Sequence, residues 1–346
     1  MNNPINTREV HPASGAIIMA LGIFLYADIE AFPFIDQYVG WIVLIGVWLL
    51  SFSLFSSLGV QFSRKDYRKE ILRHPVRFFA MGTWIAGVFV LCQVTIKYFP
   101  ALFYGVQVLA LFNSILCFLF LGGCLLQFTT LLRKQGAFST HGVILLSTVT
   151  IQALVITWAK IFFIPVEILI FGILFGCFFY LCGAWLISIR YMKRTNWLLK
   201  DDWANTNCIL HGALSITGLA LVYTQAISPT SLFLFWIIVL LVMLSVETIE
   251  IVRALERIRA YGWKRGLFTY DVSQWSRNFT FGMFYAFSTA LPHPQSSLPF
   301  IVKFHTVLLP VWSWIVLLLL CVELCLWGAV LFSERKREDK KDRSSF

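Results

Sequence analysis

Charged residues are scarce in this sequence, and carboxylates are the scarcest of them. Asp, Glu, Lys and Arg make up 13% of the 346 residues, whereas hydrophobic residues make up 58%. Soluble globular domains carry about 25% charged residues, so this composition excludes that class. The mean hydropathy of +0.76 predicts an integral membrane protein instead.

Motifs of catalysis and metal binding are also missing. The sequence has no CxxC pair, no HExxH, no glycine-rich phosphate loop, and no Ser or Cys with a base at motif spacing. Its eight cysteines lie in or beside apolar segments, where a small core residue fits. We therefore predict no enzyme activity, no cofactor and no metal, with a membrane-embedded enzyme as a remote alternative.

Ten apolar segments of about twenty residues each are the main feature of the chain. The N-terminal MNNPINTREVHPASG has neither a basic n-region nor an A-x-A site, so we expect the first segment to be retained. The predicted fold is an all-α polytopic membrane protein with one domain, 1–346. It comprises an N-terminal tail (1–13), a transmembrane region (14–332) and a charged C-terminal tail (333–346). The segments are 14–34, 39–60, 76–96, 101–132, 142–162, 164–189, 205–226, 232–252, 275–293 and 306–332.

Basic residues are distributed unevenly between the two sides of these segments. The chain has 28 Lys and Arg against 18 Asp and Glu, a formal net charge of +10. The tails and the connections after even-numbered segments hold 25 of the 28, which leaves Lys97, Lys160 and Lys303 for the other side. The positive-inside rule then predicts cytoplasmic termini in an inner (plasma) membrane, and no nucleic acid partner.

Pairs of segments repeat at regular spacing. Odd-numbered segments begin near residues 14, 76, 142, 205 and 275, so a helical hairpin recurs about every 62 to 70 residues. Windows of 21 residues hold 24 Ser, Thr, Asn, Gln or His in the odd segments and 10 in the even ones. Polar residues suit a protein interior or a wet channel. The pattern predicts five hairpins, with odd helices lining a central pore and even helices forming an outer ring.

This arrangement favours anions at one mouth. All five inner helices would begin on the cytoplasmic side, so the positive ends of their dipoles would converge there. Such a mouth attracts anions weakly, because each dipole contributes only about 0.3–1 kcal/mol when solvated. Lys97, Lys160 and Lys303 would draw anions from the far side, unless they extend to lipid head groups.

An aromatic stretch at 275–294, WSRNFTFGMFYAFSTALPHP, is the candidate gate. Its mixture of rings, hydroxyls and glycine is typical of a wall between packed protein and a water-filled path. Phe281 and Phe284 are three residues apart and share a helix face, and Gly282 would leave room for the Phe281 ring to swing. We predict that these rings close the pore by dewetting; core packing is the alternative.

Polar side chains in the odd segments are candidates for lining the pore or contacting substrate, with bonding between helices as the alternative. They are Thr83, Gln93, Thr150, Gln152, Asn207, His211, Ser215, Asn278, Thr280 and Ser288. His211 and Glu323 are the candidates for proton coupling, with a buried structural role as the alternative. Arg253 follows Glu250 by one turn and is predicted to pair with it.

Three stretches resemble the tellurite-resistance/dicarboxylate transporter family, which shares its fold with the slow-type anion channels of plant guard cells. They are SGAIIMALG (14–22), RHPVRFFAMGTW (73–84) and SRNFTFGMFYAFSTA (276–290). The resemblance implies five hairpins around a pore, a trimer, and a ninth-helix phenylalanine that occludes the path, best matched by Phe281. Two departures are the fifth helix, which lacks an internal proline, and the bulky Ile17, Ile18 and Met19 of the first.

Transport of a small anion, inorganic or organic, is therefore the predicted function. The alternatives are a proton-coupled dicarboxylate carrier of the malate type and a sulfite or tellurite exporter, because relatives of the resembled family divide among these activities. The predicted partners are the anion, the lipid bilayer and further copies of the chain in a trimer.

Overall fold

The computed structural model describes residues 10–134, 139–194, 196–292 and 299–343. Residues 1–9 and 344–346 of the predicted tails, and residue 293 of the ninth segment, lie outside them. The described residues form helices and contain no β-strand, which confirms the all-α prediction. The α-helices are α1 (Gly15–Tyr26), α2 (Pro33–Ser63), α3 (Lys65–Arg73), α4 (Gly82–Tyr98), α5 (Phe103–Arg133), α6 (Leu146–Ile161), α7 (Val166–Lys193), α8 (Leu199–Asp202), α9 (Ile209–Thr224), α10 (Pro229–Gly266), α11 (Trp275–Ala290) and α12 (Pro299–Arg343).

Eight helices in the described ranges are long and apolar enough to cross a membrane. Extended by their 3₁₀ turns, they are Pro33–Ser63, Arg77–Tyr98, Pro100–Arg133, Gly142–Ile161, Val166–Lys193, Asn205–Thr224, Pro229–Gly266 and Val302–Ser333. Helices α1 and α11, with 12 and 16 residues, are not among these eight. A 3₁₀ turn at Asp28–Ala31 ends the first segment early, and α2 begins at Pro33 rather than at 39.

Five helices contact one another in a closed ring. Helix α1 packs on α4, α4 on α6, α6 on α9, α9 on α11, and α11 on α1 again. These are the odd-numbered segments of the sequence. In the apolar stretch of Gly142–Ile161, which contains α6, 89% of the residues are buried. In the apolar stretch of Val302–Ser333, within α12, 17% are buried. Helices α2, α5, α7, α10 and α12 pack against the outside of the ring.

The ring helices are much shorter than the helices around them. They have 12 to 17 residues, or about 18 to 26 Å, whereas the outer helices have 28 to 45. A hydrocarbon core is about 30 Å thick, and only the outer helices are long enough to cross it without added turns. The 3₁₀ turns at the ends of the ring helices therefore supply part of the length that the ring spans.

A glycine faces the neighbouring element at every contact of the ring. A methyl group on Gly15 would lie 2.6 Å from the Trp84 backbone nitrogen, and one on Gly142 would lie 1.8 Å from the Thr206 carbonyl oxygen. Small residues allow helix backbones to approach this closely in membranes. The glycines are Gly15, Gly22 and Gly87 between α1 and α4, Gly82 between α4 and α6, Gly142 between the turns that precede α6 and α9, Gly212 and Gly218 between α9 and α11, and Gly282 between α11 and α1.

Replacing Gly15 by alanine should loosen the contact between α1 and α4. The added methyl would clash with backbone atoms, which cannot rotate away, so we expect a loss of about 1–3 kcal/mol in the free energy of unfolding. Gly122→Ala on α5 is the matched control, because nothing lies within 4 Å of a methyl there. Thermal unfolding in detergent would measure both variants. Equal melting temperatures would contradict the tight contact.

Candidate functional site

A cavity of about 530 Å³, which we call the vestibule, opens at the end of the ring where all five helices finish. Each ring helix or the residue directly after it contributes to the wall. Polar groups from all five ring helices share this wall with apolar residues. The vestibule is lined by Tyr26, Ala27, Glu30, Gln93, Ile96, Lys97, Lys160, Ile161, Tyr223, Ala286, Thr289 and Ala290.

An apolar constriction lies directly beneath the vestibule and shares Tyr26 and Gln93 with it. The void between its side chains is about 10 Å³, which is at the lower limit for one water molecule. All five ring helices contribute, and only Tyr26 and Gln93 carry polar groups. The constriction is lined by Ile23, Tyr26, Val90, Gln93, Ala153, Ile156, Ile216, Leu219 and Met283.

Two lysines give the vestibule its positive charge. Lys97 forms ion pairs with Glu30 at 3.0 Å and Asp36 at 3.3 Å, and donates to the Leu25 carbonyl oxygen. The Lys160 ammonium lies 4.4 Å from the ring centre of Tyr26 and 4.3 Å from that of Tyr223. Among the lining residues, Lys160 is therefore the cation without a carboxylate partner.

The predicted gate residues, Phe281 and Phe284, lie on another face of α11. The Phe281 ring contacts Trp312 of α12 at 5.0 Å between centroids, and Phe284 contacts the same indole at 5.4 Å. Met283 is the residue of α11 in the constriction, and two positions along a helix correspond to a turn of about 200°. The structure thus places both phenylalanines away from the constriction, so their gating role stays a prediction.

Gly282 has a different role from the one expected. Its α-carbon faces Ile23 and Asp28, where a methyl would lie 2.7 Å from Ile23 Cγ2 and 2.9 Å from Asp28 Oδ2. The glycine therefore allows α11 to approach α1, and the space beside it is already filled. The expectation that it leaves room for the Phe281 ring to swing is wrong.

Most of the polar candidates form hydrogen bonds inside or around the ring. Thr150 donates to the Leu146 carbonyl at 2.7 Å and approaches that of Gly82 at 3.2 Å, and Gln152 bonds outward to Ile173 of α7 at 3.2 Å. Ser288 accepts from Trp236 of α10 at 2.8 Å. Thr83, Ser215 and Thr280 donate to carbonyl oxygens of their own helix or of the turn that leads into it. Asn278 is buried on α11.

Gln93 is one of the predicted polar residues, and in the described part of the chain it lines both the vestibule and the constriction. It is half-buried, and its amide donates to Thr157 of α6 at 3.1 Å. Among the polar candidates in the described residues, Gln93 is therefore the one on the axis of the ring.

The other end of the ring is closed by turns that contact each other. Asn207 accepts a bond from the Gly142 backbone N–H at 2.9 Å and donates to Tyr191 of α7 at 2.8 Å. The His141 ring lies 2.7 Å from the Thr206 hydroxyl, and burial lowers the pKa of His141 to about 4. This histidine is therefore neutral at physiological pH. Asn207 joins three elements in the described structure, whereas its role as a pore residue stays a prediction.

A cluster of charges behind the ring joins α9, α10 and α11. The Arg277 guanidinium lies 2.7 Å from Glu250 and 3.5 Å from Glu247, and Arg253 lies 3.0 Å from Glu250. The predicted Glu250–Arg253 pair is thus confirmed. His211 Nε2 lies 3.4 Å from Glu247 Oε1, and its ring lies 5.9 Å from that of Phe281. We call Glu247, Glu250, Arg253 and Arg277 the charge cluster.

The charge cluster lines a second cavity of about 540 Å³ between α10, α11 and α12, together with Phe281 and Trp312. In the sequence, Arg277 is one of the 25 Lys and Arg residues that predict the side of the membrane, and no further role was predicted for it. The sequence did contain a signal for the charge cluster. Arg277 lies two residues inside an apolar helix, and the two glutamates of the cluster lie near the matching end of the apolar segment 232–252. Glu323 is buried on α12 and is not among the residues of this cavity wall.

Searches with models of known protein families and with curated protein sequences gave no match to this chain. The long apolar helices fit a multi-pass membrane protein. The resemblance to the tellurite-resistance/dicarboxylate transporters stays a prediction.

Replacing Arg277 by glutamine should destabilise the protein strongly. Glu250, whose side chain is 6% exposed, would keep Arg253 but lose its 2.7 Å partner, and Glu247 would lose its arginine. The loss of a hydrogen bond to a charged group costs about 1.5–3 kcal/mol. Arg259→Gln, at an exposed position on α10, is the control and should change stability by less than about 0.5 kcal/mol. Thermal unfolding would compare them. The double variant Arg277→Gln with Glu247→Gln should recover part of the loss. It removes the carboxylate left without an arginine and keeps the Glu250–Arg253 pair. No recovery would contradict the pairing.

Proposed function

We propose that this chain transports small anions across a membrane, along the axis of the five-helix ring. The observation that carries the proposal is the vestibule above an apolar constriction, because every ring helix contributes to both. A structural membrane protein has no need for a polar cavity that narrows onto the common axis of its buried helices. A transporter in an occluded state requires this arrangement.

The charges around the ring favour anions over cations. The turns at Arg77–Met81, Gly142–Leu145, Asn205–Cys208 and Val272–Gln274 contact one another in sequence, so the positive ends of four ring helices meet at one end. At the other end, Lys160 opposes the negative ends of the helix dipoles. These effects are modest, and they support weak selectivity for negative charge rather than tight binding.

Met283 is the residue that we propose to move when the constriction opens. Its side chain is unbranched and has three rotatable bonds, whereas its neighbours Ile23, Val90 and Ile216 are β-branched and stiff. A narrow apolar segment excludes ions by dewetting until it widens. Met283 therefore takes, in this proposal, the role that the sequence suggested for Phe281.

The number of membrane crossings and the location of the termini are part of the proposed function. We propose ten membrane crossings in five hairpins, with both termini in the cytoplasm of an inner (plasma) membrane, as the distribution of Lys and Arg predicts. The ring of five alternate helices agrees with the arrangement implied by the tellurite-resistance/dicarboxylate family. The trimer rests on that resemblance alone.

Flux measurements on reconstituted vesicles test this function. With chloride, nitrate, sulfite and malate as the panel, at least one anion should cross faster than through protein-free vesicles. Met283→Ala should raise its flux several-fold, because truncation widens the constriction. Phe281→Ala is the matched variant on the opposite face of α11 and should raise flux less. Absence of flux for all four anions, or a gain confined to Phe281→Ala, would contradict the proposed path.

A proton-coupled organic-acid carrier is the second candidate. The observation that favours it is the contact of buried His211 with Glu247 at 3.4 Å, beside two arginines that a proton on this pair would affect. Malate uptake should then be saturable and increase when the vesicle exterior is acidified.

His211→Gln should abolish this response to a proton gradient and leave binding of malate intact. Glu323→Gln is the comparison variant, because that carboxyl was the other candidate and lies on the outer helix α12. Uptake that ignores the proton gradient in the wild-type protein would exclude the carrier and leave a passive channel.

A further inference from the structure

Two tyrosines form a bridge across the end of the ring. Tyr26 is the last residue of α1, and Tyr223 is the last but one of α9. Their hydroxyl oxygens are 2.5 Å apart, a short hydrogen bond. In the ring, α1 contacts α4 and α11, whereas α9 contacts α6 and α11, so this pair joins helices that are not neighbours. The bridge therefore crosses the axial path.

The position of the bridge makes it the floor of the vestibule. Tyr26 lines both the vestibule and the constriction below it, and Tyr223 lines the vestibule. A solute that enters the vestibule meets the tyrosine pair before it reaches Ile23 and Met283. The closed path thus contains two barriers in series, a polar one above an apolar one.

Lys160 of α6 holds both tyrosines. Its ammonium donates a hydrogen bond to the Tyr26 hydroxyl and lies 4.4 and 4.3 Å from the two ring centres. A cation over an aromatic face is attracted by the ring quadrupole. An ammonium has three N–H donors, and the side chain is exposed in the vestibule, so donors remain for a ligand there.

We propose that Tyr26, Tyr223 and Lys160 form an anion-responsive latch. A small oxyanion or carboxylate in the vestibule binds the Lys160 ammonium, draws it away from the two aromatic faces, and thereby weakens the Tyr26–Tyr223 bridge. The other charged groups of the vestibule, Lys97 and Glu30, are already paired with each other, which leaves Lys160 as the responsive cation. The latch regulates the axial path, so it rests on the transport function proposed above.

Conservative variants test the latch in the vesicle assay. Tyr26→Phe and Tyr223→Phe keep the rings and remove the bridge, so each should raise anion flux about three- to tenfold at low anion concentration. Tyr104→Phe, an 80% exposed tyrosine at the start of α5, is the matched control and should leave flux unchanged. Lys160→Gln removes both the hold on the tyrosines and the anion contact, so it should raise flux at low anion concentration and raise the half-saturating anion concentration at least fivefold; Lys160→Arg should reverse both changes. Flux in both bridge variants equal to that of Tyr104→Phe would overturn the latch.

A binding measurement separates this proposal from the transport function. Malate and nitrate, at constant ionic strength, should raise the melting temperature of the purified wild-type protein and of Lys160→Arg, but not of Lys160→Gln. Wild-type protein without flux but with this Lys160-dependent stabilisation would refute transport and retain the anion site. Flux without any such dependence on Lys160 would retain transport and refute the latch. Size-exclusion chromatography identifies any variant that fails to fold, and the two bridge variants provide independent tests.

Discussion

Close backbone contact between neighbouring ring helices is the constraint on which the other features depend. Gly15 against Trp84 and Gly282 against Ile23 show how little space separates these helices. Apolar side chains gain nothing by leaving lipid for another apolar surface, so association of the helices relies on such van der Waals contact. Because the five helices pack so closely, the void on the axis between their side chains is only about 10 Å³. The two phenylalanines of the predicted gate do not contribute to this closure.

The same constraint determines what the polar side chains do. Hydroxyls such as Thr150 and amides such as Gln152 lie where helices meet, and their hydrogen bonds go to backbone carbonyls. A buried polar group in hydrocarbon surroundings must find a partner, and the nearest partner is a helix. Chemistry that can respond to a solute is therefore concentrated at the vestibule, around Lys160, and in the charge cluster behind the ring. The vestibule lies at the end of the ring helices, whereas the charge cluster lies between α10, α11 and α12. The first belongs to the proposed anion path, and the second to the proton-coupled alternative.

The sequence predicted the fold class and which helices are buried, because the buried helices contain more polar residues than the outer ones and this difference can be counted in the sequence. It could not predict which side chain of a buried helix faces the axis. Met283 and Phe281 are equally apolar and two positions apart, and the rotation that separates them is set by Gly282 against α1 and Gly212 against Thr280. The ion pairs of Arg277 were not predicted, because its partners Glu247 and Glu250 lie about thirty residues earlier, in another helix. The sequence also did not predict that the buried helices have only 12 to 17 α-helical residues each and begin, in four cases, with a 3₁₀ turn.

The constriction has an electrical consequence. A membrane voltage falls mainly across whatever part of a protein excludes water, and a water-filled recess carries little of it. In this protein the narrow void of about 10 Å³, to which all five ring helices contribute, is the part of the axis that excludes water. One elementary charge moved through 100 mV gains or loses about 2.3 kcal/mol. In the proposed transport, an anion would therefore experience most of that energy at the constriction.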